Sequence, residues 1–344
     1  MNFKLTLTSL LIGLGLVIGG VTSSHAADAL LINGAGATFP YPIYSKWFDE
    51  FGKKHPELHF NYQSVGSGAG IRQVGEMTVD FGATDGPMTD DQLKASKQKL
   101  LHFPTVLGAD VPTYNIPEVS AELNFTGEVL ANIFLGKVTK WNDSAIAGAN
   151  PGVNLPDKEI MVIHRSDGSG TTYIWTDFLS KVSPEWDQKV GKGTSVNWPV
   201  GLGGKGNEGV SGLIKQTPYS IGYVELIYAV QNHLSYGKIQ NKEGHFIKAT
   251  LETVSEAAAG ALKTMPEDFR VSITNPPGKG VYPASSFTWL LIPEEIKDLK
   301  KRKAIVEFLK WMIHDGQAYT KDLAYAPLPK EVVQKEERAI SKIK

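Results

Sequence analysis

The 344-residue sequence contains no cysteine. Disulfides, thiolate metal sites, cysteine nucleophiles and a lipid-modified N-terminal cysteine are thereby excluded. Charge of one sign is not in excess either, with 35 Lys and Arg against 36 Asp and Glu. This balance argues against a general nucleic-acid binder, which carries a basic surface. Beyond residue 26 no run is apolar enough to span a bilayer. Internal repeats, low-complexity tracts and Pro/Ser-rich linkers are also missing. At ~150 residues per domain the length predicts about two domains. Without a linker, these are expected to be lobes joined by strands that cross directly between them.

What is present begins with an address. Residues 1–26 hold one charge, Lys4, then an apolar stretch from Leu10 to Gly20, then Ser24-His25-Ala26. This is the pattern of a cleaved secretory signal peptide. Cleavage after Ala26 predicts a soluble, extracytoplasmic chain of residues 27–344, free of a lipid anchor. Apolar residues at 42% and charged residues at 21% suit a globular core and disfavour disorder. Thirty-five glycines exceed the usual ~7% and predict many tight turns or close backbone approaches.

Strand-length apolar runs recur at Ala29–Ile32, Leu58–Tyr62, Val79–Ala83, Ile160–His164, Ser220–Val224 and Ser286–Ile292. Several feed a Gly/Ser/Asp-rich loop, after which the period becomes helical. Ile43, Trp47 and Phe51 share one helix face, as do Ile174 and Phe178, and Ile305, Leu309 and Met312. Such alternation predicts an α/β fold with mostly parallel sheets.

Three of these loops have the form of anion cradles: Gly34-Ala35-Gly36-Ala37-Thr38-Phe39-Pro40, Gly66-Ser67-Gly68-Ala69-Gly70 and Arg165-Ser166-Asp167-Gly168-Ser169-Gly170-Thr171. Each reads as a strand end, a small-residue turn and a helix start. Helix N-termini offer unpaired N–H donors and partial positive charge, worth roughly 0.3–1 kcal/mol each to an anion. Ligands of open α/β sheets bind at the carboxyl ends of strands, where these loops lie. Arg165 is a natural bidentate partner for a tetrahedral oxyanion, and Asp167 could orient its guanidinium. A fourth strand end, Val79 to Pro87, places Asp85 beside a turn. A carboxylate is a poor neighbour for an anion unless the anion carries a proton to donate to it. Protonated phosphate does and ionised sulfate does not, a difference of roughly 3 kcal/mol, or about a hundredfold.

Enzyme motifs fail in turn. Gly-x-Gly-x-x-Gly is broken by Phe39 and Ile71 at its third glycine. Gly204-Lys205 lacks both the Ser/Thr and the first glycine of a P-loop, where Gly206 and Pro199 stand. No Gly-x-Ser-x-Gly occurs, and no histidines take metal spacing; His55-Pro56-Glu57-Leu58-His59 reads as a surface turn. His164 reads as a strand-end histidine. The basic run Lys297 and Lys300 to Lys303 reads as a solvated helix face.

At these loops the sequence resembles the periplasmic phosphate-binding proteins of ABC-type phosphate importers, along nearly the whole chain after residue 26. The loops above carry the likeness, with Tyr62-Gln63, Val79 to Asp85, Gly201-Leu202-Gly203-Gly204-Lys205-Gly206-Asn207 and Ile221-Gly222-Tyr223-Val224-Glu225. The resemblance implies a two-lobed, type II periplasmic-binding-protein fold, each lobe a mostly parallel sheet flanked by helices, with the ligand cleft between them. Lobe one would comprise residues 27–108 and 283–344, and lobe two residues 109–282. It implies phosphate held at Thr38, Phe39, Ser67, Asp85, Arg165, Ser169, Gly170 and Thr171, with Asp167 pairing Arg165. It further implies no catalysis, metal or cofactor, and a monomeric subunit in the periplasm that delivers inorganic phosphate to membrane permease subunits. Sulfate or molybdate binding, or an exported phosphatase, are the alternatives. One departure is Ala109-Asp110-Val111-Pro112-Thr113-Tyr114, more polar than the apolar strand usual at the family's first crossover.

Overall fold

The computed structural model describes residues 29–344. The signal peptide expected over residues 1–26 lies outside the described residues. Among the described residues, no helix is long and apolar enough to cross a membrane. The strands are β1 (Leu30–Gly36), β2 (Leu58–Ser64), β3 (Phe81–Thr84), β4 (Leu100–Asn115), β5 (Asn124–Phe125), β6 (Met161–Arg165), β7 (Leu202–Gly204), β8 (Ser220–Glu225), β9 (Ser235–Tyr236), β10 (Lys238–Gln240), β11 (Phe246–Ile247) and β12 (Ser285–Pro293).

One long sheet runs in the order β2-β1-β3-β12-β4-β8-β6-β7, with β9 on β4; β11, β10 and β5 form a small second sheet. At one end β1 lies parallel to β2 and β3. At the other, β6 lies parallel to β7 and β8. These parallel ends are the α/β pattern expected from strand–helix alternation, with helices supplying the crossovers. The middle is antiparallel, because β4 and β12 run in opposite directions between the two halves.

The 16-residue β4 is the longest element that no local periodicity announced. Its first part pairs with β12, as far as Ala109 opposite Ser285. From Asp110, opposite Glu225, it pairs with β8 instead. A single strand thus serves both halves of the molecule, giving the two-lobed fold its crossover.

Each half has its own aromatic core. On the Tyr41–Lys54 helix, Phe51 packs with Phe60 and Phe308, and Trp47 stacks on Tyr44. Burying such rings is worth roughly 1.5–3 kcal/mol apiece. In the second half, Trp175 on the Gly170–Val182 helix stacks on Tyr223, which stacks on Trp198. His164 stacks on Trp198 and its Nδ1 contacts the Arg165 carbonyl, consistent with a strand-end role.

One local expectation is corrected. Gly34, Ala35 and Gly36 continue β1 rather than opening a loop. The reason is pairing on both sides: Gly36 stands opposite Ser64 of β2 and Ala83 of β3. The turn proper is confined to Thr38-Phe39-Pro40, with Pro40 at the helix cap.

Candidate functional site

The site forms where strand ends from both halves meet. From the first half, β1 leads into the Thr38–Pro40 turn, β2 into Ser67 and β3 directly into Asp85. Ser67 opens the Ser67–Gly75 helix, whose cap, Gly66, has φ 93°, a left-handed backbone that favours glycine. From the second half, β6 delivers Arg165, and Ser169 caps the Gly170–Val182 helix by accepting from the Thr172 amide at 3.0 Å.

All eight expected site residues come together and are buried. Thr38, Phe39, Ser67, Asp85, Arg165, Ser169 and Thr171 are between 0% and 3% exposed, and Gly170 is likewise buried. The two halves touch through these residues. The Gly170 amide donates to Ser67 Oγ at 3.0 Å. The Gly68 amide donates to the Gly168 carbonyl at 2.9 Å. Asn207, at the start of the Gly206–Gln216 helix, donates from its amide (3.2 Å) and its Nδ2 (2.8 Å) to Thr38 Oγ1. The Tyr228 hydroxyl donates to the Thr38 carbonyl at 2.6 Å. The lobes are therefore closed on one another.

Arg165 is fixed by a fork. Its Nε and Nη2 donate to the two Asp167 oxygens at 2.8 and 2.6 Å. Its Nη1 donates to Thr171 Oγ1 at 3.2 Å. Burial alone would lower the Arg165 pKa, but the Asp167 carboxylate reverses that and holds the guanidinium charged. Burial likewise pushes Asp167 up, and Arg165 more than offsets it, leaving Asp167 ionised below the usual range. The pair orients the guanidinium, and Asp167 is itself tied down by the Gly206 amide at 3.0 Å. The Arg165–Asp167 contact expected from the sequence is thus present.

Asp85 is held differently. Its Oδ1 accepts from Thr288 Oγ1 at 2.8 Å, and its Oδ2 from Ser67 Oγ at 3.4 Å. Burial raises its pKa to about 7, against the opposing pull of Thr288, Arg165 and Ser67. Near neutrality this carboxyl can accept or donate a proton. Gly170 packs so tightly against it that a Cβ there would sit 2.5 Å from Asp85 Cβ.

Sequence reasoning missed four residues at this centre. Asn207 stands within a quoted matching segment, yet nothing local shows that it joins Thr38 to Thr171, whose Oγ1 it reaches at 3.1 Å. Thr288 is 203 positions from Asp85. Asp110 and Glu225 meet only because β4 pairs with β8. Among the described residues, no cluster of His, Cys, Asp and Glu could hold a metal ion.

A model of the PBP superfamily domain matches residues 21–315. The phosphate-binding protein PstS of Pasteurella multocida is 47% identical over 315 residues, covering 91% of each chain. The chain belongs to the phosphate-binding protein family. A more distant member of the family, PstS of Methanocaldococcus jannaschii, is 38% identical over 347 residues, covering 94% of this chain and 89% of its own. The fold agrees with solved structures as well. The phosphate binding protein of Stenotrophomonas maltophilia has a TM-score of 0.68 at 18% identity, covering 90% of this chain and 94% of that one. A high affinity periplasmic phosphate-binding protein, PfluDING, solved with phosphate at pH 8.5, has a TM-score of 0.70 at 21% identity, covering 90% and 93%.

Proposed function

We propose that this protein captures inorganic phosphate between its two lobes, outside the cytoplasm, and delivers it to an ABC-type importer in the membrane. The observation that carries this reading is a single buried site that joins anion donors to one carboxyl of near-neutral pKa. The amides of Thr38 and Phe39 donate to no protein acceptor among the described residues. With the Arg165 guanidinium and the start of the Gly170–Val182 helix, they form a positive cradle. Asp85 then distinguishes a protonated anion from a fully ionised one.

In this reading lobe one, residues 27–108 and 283–344, contributes Thr38, Phe39, Ser67 and Asp85. Lobe two, residues 109–282, contributes Arg165, Ser169, Gly170 and Thr171. An anion touching both lobes favours the closed form by its differential affinity. The role is capture, with no bond made or broken. The signal peptide over residues 1–26 would release a free periplasmic chain, which works as a monomeric subunit.

The test is calorimetric titration of the phosphate-stripped protein with phosphate and, separately, sulfate. Binding of one phosphate per chain is expected, with no sulfate heat at pH 8. Arg165→Ala should weaken phosphate at least about a hundredfold, since it removes charge-assisted donors and leaves Asp167 unpaired. Equal phosphate affinity in that variant, or equal heats for both anions in the wild type, would overturn the assignment.

A further inference from the structure

The crossover strand carries a group that the capture site does not explain. Asp110 is 0% exposed, and neither of its carboxyl oxygens has a hydrogen-bond donor among the described residues. Its backbone is fully engaged: the amide donates to the Ala284 carbonyl at 2.9 Å and the carbonyl accepts from the Tyr282 hydroxyl at 2.8 Å. The orphaned part is therefore the side chain alone. Asp110 stands where β4 leaves β12 for β8, at the crossover between the two halves.

The direction of that side chain follows from strand geometry. A Cβ added to Gly108 would meet the Phe39 ring at 2.5 Å and Glu225 Oε1 at 2.9 Å. This face of β4 therefore looks onto the anion cradle. Asp110, two residues on, shares the face. Directly across the ladder stands Glu225, itself 0% exposed, with Oε2 held by the Ile227 amide at 2.7 Å and Oε1 without a donor. The groups in electrostatic reach of Asp110 are Glu225 on β8, Asp85 at the end of β3 and Arg165 at the end of β6. The two nearby tyrosines are Tyr282 and Tyr223. Arg165 is the only cation in this set, and its fork is occupied by Asp167. Three buried carboxyls beside an anion site are tolerable only if protons accompany them.

We propose that Asp110 couples anion capture to proton uptake: the closed lobes hold it as the neutral acid, so that closure on the anion takes up a proton. This rests on the phosphate reading above. Opening admits water to this face of β4 and lets the carboxyl ionise; closure expels that water and requires the proton back. Burial among acids, which raises both Asp110 and Glu225 well above the usual carboxylate range, agrees with this direction. Because closure binds a proton, phosphate affinity must fall as pH rises above the open-state pKa of Asp110.

The experiment is phosphate calorimetry at pH 6 and 8.5 on the full processed chain, in pairs of buffers with different ionisation enthalpies. Wild type, Asp110→Asn and Asp110→Val are compared. The wild type should take up about one more proton per phosphate at pH 8.5 than either variant. Its affinity should fall about 300-fold further than theirs between the two pH values, one proton over 2.5 pH units. Asp110→Val keeps the test open if Asp110→Asn does not fold, because it removes the charge and polarity together. Equal proton counts and parallel pH profiles overturn the proposal while leaving phosphate capture intact. No phosphate heat in the wild type overturns both.

Discussion

Asp85 has two states within reach of neutral pH, and each favours a different anion. Burial places its pKa at about 7. Above that value it is a carboxylate and accepts a proton-bearing phosphate oxygen, while repelling sulfate. Below it, the carboxyl keeps its proton and can donate to a sulfate oxygen. Selectivity for phosphate over sulfate should therefore narrow as pH falls through about 7, by roughly tenfold from pH 8 to pH 6. Competitive titration at the two pH values checks this. Asp85→Asn should hold the ratio low and flat across the range. A ratio that stays constant with pH in the wild type would remove Asp85 from anion selection. The same shift makes Asp85 a cost to folding as pH rises. The folded chain binds its proton more tightly than the unfolded one, so stability declines from about pH 4 to about pH 7.

At the scale of elements, the helix starts of the two halves meet in the closed arrangement, Gly170 donating to Ser67. Gly170 leads the Gly170–Val182 helix and faces Asp85 with no room for a Cβ. Gly170→Ala should therefore fold normally and close badly. We expect phosphate affinity to fall about 10- to 100-fold, in line with ~1–3 kcal/mol for overpacking. The unfolding temperature without phosphate should stay near that of the wild type. A large loss of thermal stability with affinity retained would mean that the contact belongs to the folded core and not to closure. This element is legible in the sequence: Arg165 to Thr171 joins a strand, a small-residue turn and a Ser cap, and all three signals are local. Ser67 is legible for the same reason. Asp110, Glu225 and Thr288 are not, because their place in the site depends on which strands pair. Sheet pairing between β3, β12, β4 and β8 is set by burial across hundreds of residues and leaves no mark in a short window. Gly34–Gly36 carries the small-residue signature of a turn because the same small residues also permit close strand pairing.

For the whole molecule, β4 and β12 form an antiparallel bridge through the middle of one continuous sheet. The fold class could be read from strand–helix alternation, and the lobed arrangement from the family likeness. The partner switch at Ala109 and Asp110 required the structure. Hydrogen bonds across the cleft run from Gly170 to Ser67, Gly68 to Gly168, Asn207 and Tyr228 to Thr38, and Arg270 to Met88 and Asp90. Hydrogen bonds of this kind are worth about 1 kcal/mol net each. Such a seam can open at modest cost, so an anion of ordinary affinity can decide the balance between open and closed forms. The central claim, that phosphate closes the lobes, is tested most directly by small-angle X-ray scattering of the stripped protein with and without one equivalent of phosphate. The account predicts a smaller radius of gyration on phosphate addition, no change with sulfate at pH 8, and no change in Arg165→Ala. Phosphate binding with an unchanged radius of gyration in the wild type would contradict it.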